Sequence, residues 1–530
     1  MQHICIYRQH ICLYYTENHY LAKLLLYGLI FLAANIWLIF SLINEFHKAL
    51  PLLIFMAIAW IALLYETLKR LLKKCKCNDA IESLFKSSTA LKIRRVIQIV
   101  IGLGLLIYIV YLSIETKVQV MSLMSLIIMV LLSVICSKHP SQIKWTPVVW
   151  GLYLQYFAAF LVLKWQTGST AFRWATEQFV RFLSYTNNGT SFVFGFIPNP
   201  PNICGVEGPF SFTSLPIIIF FGSLCSAFYY LGVVQWFLIR VATLLHYTMQ
   251  TTAAESLNAA ASIFLGPTEA AVMMRMSLPS MTESEILATM TAGFAMISGS
   301  LFALYIGFGA CAAHLLAANM MSAPAVLTVS KIFYPEIQKS KQRTMKDFHT
   351  EQSVLESISS GAVQAVSVIF AIIVNLIVFL AIVALIDNVV YFATSSVGFE
   401  DITFNKLLGY LFFPLAYVMG VSNASDESER IAETLRVAQL IGTKTLLNEF
   451  IAYQQMSEML LQNQLTGRAQ MMALFACCGY SNISQIGSQL GIFGAMAPNR
   501  KRSFARMAIR SLVAGSIACF MTAAVAGPFC

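Results

Sequence analysis

Runs of about twenty apolar residues recur along this chain of 530 residues, and no other feature restricts its fold as strongly. A run of that length is what a helix needs to cross the roughly 30 Å hydrocarbon layer of a bilayer. Apolar stretches lie at about 24–43, 49–67, 95–114, 119–136 and 147–164, and again at about 211–234, 284–308, 362–386 and 508–526. Only 11% of the residues are charged, against about a quarter in soluble domains. A water-soluble globular chain is excluded. The pattern predicts an all-α polytopic membrane protein of about 11 spans, with the lipid bilayer as its solvent.

The formal net charge is +10, but its distribution argues against a nucleic-acid partner. The basic residues gather between apolar runs, at Lys69 to Arg95, Lys339 to Lys346 and Arg500 to Arg510. This is the positive-inside pattern of loops held on the cytoplasmic side. The loop at 69–95 carries nine Lys or Arg and follows two spans, so the N-terminus is expected inside. "NRKRSFAR" at 499–506 precedes one last span, so the C-terminus is expected outside. The first 22 residues lack the charged lead, short apolar core and cleavage site of a signal peptide. The 12 cysteines show no framework spacing, and Cys75-Lys-Cys77 has no nearby His or Cys to complete a zinc site. Cys477 and Cys478 read as small buried hydrophobes. Neither a disulfide nor a cofactor is implied.

Residues 170–184 place Phe172, Ala175, Phe179 and Phe182 on one helical face and Arg173, Glu177 and Arg181 largely on another. The segment is too short and polar to span and predicts a helix lying at the interface. Asn, Gly and Pro accumulate between 187 and 209, which predicts an irregular connection; Asn188-Gly-Thr190 within it is a glycosylation sequon.

Beyond residue 210, two apolar stretches are broken in similar ways. "ESLNAAASIFLGPTEA" (255–270) has a Gly-Pro break followed by Thr268 and Glu269. "GTKTLLNEFIAY" (442–453) follows a Gly and carries Asn448 and Glu449. About thirty residues after each carboxylate comes an apolar run interrupted by small polar groups: Ser298-Gly-Ser300, and Ser481-Asn482-Ile-Ser484-Gln485. Paired, interrupted segments in corresponding places are the trace of a transporter's repeated halves. A carboxylate at membrane depth costs about 2.5–3.5 kcal/mol on insertion scales, so it faces a cavity or a partner. Two roles stay open for Glu269 and Glu449: accepting hydrogen bonds from a hydroxyl-bearing solute, or pairing with Lys444 or an Arg for structure alone. Glu255 reads as a helix start. Tyr480 offers a ring to stack on a flat solute, or simply packing. Ser298 or Ser300 with His246 or His314 could be proposed as a serine–histidine pair, but no nucleophile motif frames those serines, and His246 reads as a helix-end residue. Walker A, HExxH and dinucleotide glycine motifs are absent from the sequence, so no enzyme is predicted.

At these residues the sequence resembles the concentrative nucleoside transporters. The matching segments are "GYLFFPLAYVMGV" at 409–421, "GTKTLLNEFIAY" at 442–453, "CGYSNIS" at 478–484, "TEA" at 268–270 and "HLLAANMMSAPAVLTVSKIFYPE" at 314–336. The likeness runs over roughly 145–528, and the spans before about 118 look like the N-terminal addition of animal members. It implies an inverted-repeat transporter with two re-entrant hairpins, elevator-type alternating access and a homotrimer at the plasma membrane. The implied organisation is a cytoplasmic segment at 1–23, N-terminal spans and basic loop at 24–118, scaffold spans at 119–254, a first transport repeat at 255–396 and a second at 397–530.

The resemblance implies symport of nucleosides. In the family's first-hairpin motif, Gly-Gln-Thr-Glu, the side chains contact the nucleobase; Thr268 and Glu269 match, while Pro267 replaces the Gln. The second-hairpin Glu binds ribose and is matched by Glu449. The later Phe, Asn and Ser correspond to Tyr480, Asn482 and Gln485, and Leu301 joins the implied substrate contacts. Ribose recognition is therefore better preserved than base recognition. The sodium position of the family maps to Ser262 and Met296 side chains with Leu265 and Ile297 carbonyls. Ser262 supplies a shorter oxygen, and Met296 only a thioether, a poor partner for a hard cation. Sodium is the implied coupling ion, with a proton taken up at Glu269 or Glu449 as the alternative. A nucleoside-binding receptor or scaffold without concentrating activity, and a channel-like facilitator of polar solutes, remain the competing functions.

Overall fold

The computed structural model describes residues 117–198, 200, 208–338, 340, 353–398 and 402–529, preceded by 31–43 and scattered positions between 28 and 111. The segment 1–23, most of the spans read at 49–67 and 95–114, the basic loop at 69–95 and nearly all of the stretch at 339–346 lie outside the described residues. Packing divides the chain into two units, 1–102 and 103–530. The first contains an apolar helix at Phe31–Ile43.

The second unit is helical throughout its described elements. It opens with α1 (Lys117–Ile135) and α2 (Trp145–Ala159), the latter extended by a π-helical turn at Phe160–Lys164. The amphipathic segment forms α3 (Gln166–Ser184). The connection read at 187–209 is not irregular throughout. Its first part is helix α4 (Thr186–Phe194), stopped by Gly195 at φ +62°, and the sequon Asn188-Gly-Thr190 therefore lies inside a helix. Then come α5 (Pro216–Tyr230) and α6 (Val233–Met249). His246 sits in the last turn of α6, its Nδ1 2.5 Å from the Thr251 carbonyl.

Two short helices follow, α7 (Ala253–Ala261) and α8 (Pro267–Met274). The span read at 284–308 is broken into α9 (Glu283–Ala295) and α10 (Gly299–Gly307), with Met296 and Ser298 extended between them. The hydropathy there is continuous, but Ser298-Gly-Ser300 are weak helix formers, and side chains from elsewhere take up the freed backbone groups. Helix α11 (Ala312–Phe333) is long and apolar enough to cross, although its Asn, Ser and Lys residues kept it out of the hydropathy spans above. Helix α12 (Val354–Ser395) has 42 residues, about 63 Å at 1.5 Å per residue. It exceeds the hydrocarbon layer, and most of its apolar side chains are uncovered within the chain. The second half repeats the alternation of short and broken elements: α13 (Phe404–Met419), α14 (Glu427–Leu446), α15 (Glu449–Leu461), α16 (Gly467–Cys477), α17 (Ser484–Met496) and α18 (Lys501–Ala526). Among the described residues, six helices are long and apolar enough to cross a membrane.

Helices α11 and α18 form the centre, packed on one another, with α9 against both and α16 against α18. Buried polar ties fix the ends. At one end, capping boxes close the starts of α7 (Thr252 with Glu255) and α9 (Thr282 with Glu285). Lys331, near the end of α11, reaches Glu255 Oε2 at 2.7 Å. The expected helix start at Glu255 is thus present, and the same carboxylate holds a buried ion pair. Glu283 lies 3.8 Å from Lys138, just beyond α1, and 3.3 Å from Arg506 of α18. The end of α1 and the start of α18 therefore share one side of the bundle. At the other end, Arg468 donates to the Gly420 carbonyl (2.9 Å), the Gly527 carbonyl (2.8 Å) and Ser122 Oγ (3.0 Å). A guanidinium is well suited to these acceptors, where helix C-terminal carbonyls concentrate negative charge.

Candidate functional site

At nine and eight residues, α7 and α8 are about 14 and 12 Å long, less than half of what crossing requires. They meet at the turn 262–266. Pro267 starts α8, where its missing N–H would have been unpaired in any case. Glu269, in the same first turn, folds back over Gly266: a Cβ there would stand 2.5 Å from Glu269 Oε2 and 3.1 Å from Ser298 Cβ. A side chain at 266 would push the carboxylate out of this position. Thr268 and Glu269 are exposed, Pro267 partly so, and Leu301 is buried on α10.

The second pair joined by a break, α14 and α15, of 20 and 13 residues, meets at Leu447 and Asn448, where the Asn448 side chain caps α15 by accepting from the Ile451 N–H at 2.9 Å. Glu449 is the first residue of α15 and is buried. A helix N-terminus favours a carboxylate there. Its Oε2 accepts from Asn482 Nδ2 at 2.8 Å, and its Oε1 from the Tyr305 hydroxyl at 3.3 Å. Asn482 Oδ1 in turn accepts from the Gln485 N–H (2.9 Å) and Ser484 Oγ (2.7 Å), which orients the amide with its NH2 toward Glu449. The structural pairing considered for Glu449 with Lys444 does not occur. Lys444 Nζ donates to Ser481 Oγ (2.5 Å) and the Ala476 carbonyl (3.3 Å), at the end of α16.

The two breaks meet directly. The Tyr480 hydroxyl accepts from the Ser298 N–H at 2.8 Å and lies 2.9 Å from Ser298 Oγ. Ser298 is thereby engaged by a phenol, not by an imidazole. Gly479, at φ +137°, presses on the end of α9: a Cβ there would stand 2.8 Å from both C and O of Ala295. Ser298 with Tyr480, and Glu449 with Asn482 and Tyr305, thus form a polar lining of two hydrogen-bonded groups, joined by the Asn482 N–H donating to the Tyr480 carbonyl at 2.8 Å, with Glu269 beside Ser298 at Gly266. Each carboxylate oxygen of Glu449 retains acceptor capacity beyond its present partner, so the lining can receive hydroxyl donors.

The four residues of the expected ion position also lie close to one another. Ser262 Oγ donates to the Asn258 carbonyl at 2.9 Å, which spends its proton inside α7 and leaves the oxygen an acceptor. Met296 and Ile297 form the break after α9, and the Gly299 N–H donates to the Phe264 carbonyl at 2.9 Å, joining break and turn. Asn319 of α11 braces both: its Nδ2 donates to the carbonyls of Ile263 (2.5 Å) and Ile297 (2.9 Å), and its Oδ1 accepts from the Ile297 N–H at 2.9 Å. Sequence reasoning missed Asn319 and Tyr305. A lone Asn in "HLLAANMM" was a usable signal; a Tyr in "LFALYIG" was not.

Three family models match the chain: "Na+ dependent nucleoside transporter N-terminus" over residues 124–197, "Nucleoside recognition" over 211–312, and "Na+ dependent nucleoside transporter C-terminus" over 314–527. Sodium/nucleoside cotransporter 2 of Rattus norvegicus is 35% identical over 532 residues, covering 97% of this chain and 78% of the relative. Sodium/nucleoside cotransporter 1 of Oryctolagus cuniculus is 36% identical over 525 residues, covering 96% and 77%. Among solved structures, CNTnw in an inward-facing substrate-bound state superposes with a TM-score of 0.73 at 32% identity, covering 78% of this chain and 98% of that one. A variant of CNTnw in an outward-facing state gives 0.74 at the same identity and coverage.

Proposed function

Since this chain belongs to the sodium-dependent nucleoside transporter family, we propose that it imports nucleosides across the plasma membrane by sodium symport. The observation that carries the proposal is the buried Glu449, held by Asn482 and Tyr305 where the start of α15 meets α10 and the break before α17. In this role Glu449 and Asn482 bind the ribose hydroxyls. Tyr480 flanks the solute with Leu301, and Thr268, Glu269 and Gln485 complete the lining. Pro267 leaves the first hairpin tip without an amide toward the base. The pairs α7–α8 and α14–α15 act as re-entrant hairpins, and the protein works as a homotrimer with elevator-type alternating access. The N-terminus is cytoplasmic and the C-terminus extracellular, which agrees with Lys138 and Arg506 sharing one end of the bundle.

The coupling ion sits between the 262–265 turn and the 296–297 break, where Ser262 and the carbonyls of Leu265 and Ile297 supply oxygen. Met296 supplies no hard ligand, an observation that favours weak sodium affinity or a proton in its place. Accumulation of labelled uridine and adenosine in cells expressing the chain, with and without an imposed ion gradient, tests the function. Uphill accumulation is expected. Equilibration without accumulation would make the protein a facilitator, and saturable binding without uptake would make it a receptor.

A further inference from the structure

Gln489 is fully buried on α17, and among the described residues neither its Nε2 nor its Oε1 has a hydrogen-bond partner. Buried amides are normally paired, since leaving donor and acceptor desolvated is costly. The side chain lies in a slot made for it. A Cβ on Gly293 of α9 would stand 2.6 Å from Gln489 Nε2 and 3.2 Å from its Cδ, so a side chain at 293 would displace the amide from its present position. The same point lies 3.4 Å from Pro267 Cβ. The amide and the first residue of the α8 tip are therefore both neighbours of Gly293, where α8 and α17 are in contact. Pro267 can satisfy neither amide atom, because it has no N–H and no polar side chain. Along the chain Gln489 continues the site face: Gln485 and Gln489 lie four apart on one side of α17, and Asn482 just before the helix accepts from the Gln485 N–H.

We propose that Gln489 is a specificity-determining residue that reads the donor–acceptor edge of the nucleobase beside Pro267. A primary amide offers one acceptor and two donors in a plane. It complements an adjacent N–H and C=O, as in uracil, or a ring nitrogen beside an amino group, as in adenine. In this structure α8 and α17 are in contact and the slot is closed, so a base edge enters as α8 draws away from α17. The unpaired amide then gains the partners it lacks.

The inference rests on nucleosides being the cargo, and the test separates the two. Full-length protein is expressed in cells lacking their own nucleoside uptake. Initial rates are measured for uridine and for the pyrimidin-2-one riboside, which keeps the ribose but lacks the N3–H and O4 edge. Native protein should prefer uridine. Gln489→Met, nearly equal in length but without amide chemistry, should lower that preference about tenfold, the worth of one neutral hydrogen bond. Gly293→Ala, which fills the slot from the opposite helix while leaving Gln489 in place, should lower the same ratio. An unchanged ratio, an equal fall for both ribosides, or loss of both variants from the surface would make Gln489 a packing residue and overturn the inference. Uptake of neither riboside by native protein would overturn the cargo itself.

Discussion

Replacing Glu449 by Gln tests the ribose site with the least disturbance of shape. In the structure Glu449 accepts from Asn482 Nδ2 through one oxygen and from the Tyr305 hydroxyl through the other. A Gln there keeps the first bond through its carbonyl, and its NH2 can donate to the phenol oxygen, so the fold around α15 should survive. What disappears is the negative charge offered to two ribose hydroxyls. A hydrogen bond to a charged group contributes about 1.5–3 kcal/mol and a neutral one about 0.5–1.5. Two such replacements weaken binding by about 2–3 kcal/mol, or roughly 30- to 150-fold in apparent affinity. Concentration-dependent uptake at matched surface expression would measure it, using uridine beside its 2′,3′-dideoxy analogue. Uridine should lose most of its advantage over the analogue. If both lose affinity equally, Glu449 is a structural residue, and if neither does, the ribose lies elsewhere.

Four further outcomes are expected. Glu449→Ala, which leaves Asn482 and Tyr305 without their acceptor, should abolish most uptake; near-normal transport would contradict the role assigned to the carboxylate. Pro267→Gln should shift the uridine-to-adenosine uptake ratio by adding an amide at the hairpin tip, and an unchanged ratio at equal expression would place base recognition away from this tip. Uptake in sodium and in choline, each at pH 5.5 and 7.5, should show shallow sodium dependence because Met296 offers no oxygen; steep, saturable sodium dependence insensitive to pH would refute that reasoning. Epitope tags probed on intact and permeabilised cells should find the C-terminus accessible from outside and the N-terminus only after permeabilisation, and an N-terminal tag reachable on intact cells would reverse the orientation.

Chemistry that repeats in the sequence proved legible. Two carboxylates beside helix-breaking residues, each followed by an interrupted apolar run, mark the turns at 262–266 and 447–448, while the family resemblance set Glu449 with Asn482, which the structure joins by a hydrogen bond. Patterns that hydropathy averages away were not legible. The 284–308 stretch reads as one span because Met296, Ile297 and their neighbours are apolar, yet the helix is broken there. Asn319, far along the chain, takes over the Ile297 backbone groups. Tyr305 looks like any interfacial aromatic until α10 is seen against α15. Lys444 was a reasonable partner for a nearby carboxylate, but it points along α14 to the end of α16, where carbonyls and Ser481 compete for it. In each case a contact between residues distant in sequence decided the outcome, and no local period encodes such a contact.

The glycine at 479 has a mechanical consequence. Where two chain segments touch through side chains, one can slip past the other by changing a rotamer. Here main chain rests on main chain, with Ala295 on one side and Gly479 on the other, and the Tyr480–Ser298 bonds lie beside the contact. That junction has no soft coordinate. The break that carries Met296 and Ile297 and the break that carries Tyr480 and Asn482 are thus braced directly against each other, so in the proposed transport cycle an ion held by the first and a sugar held by the second would be carried on the same platform.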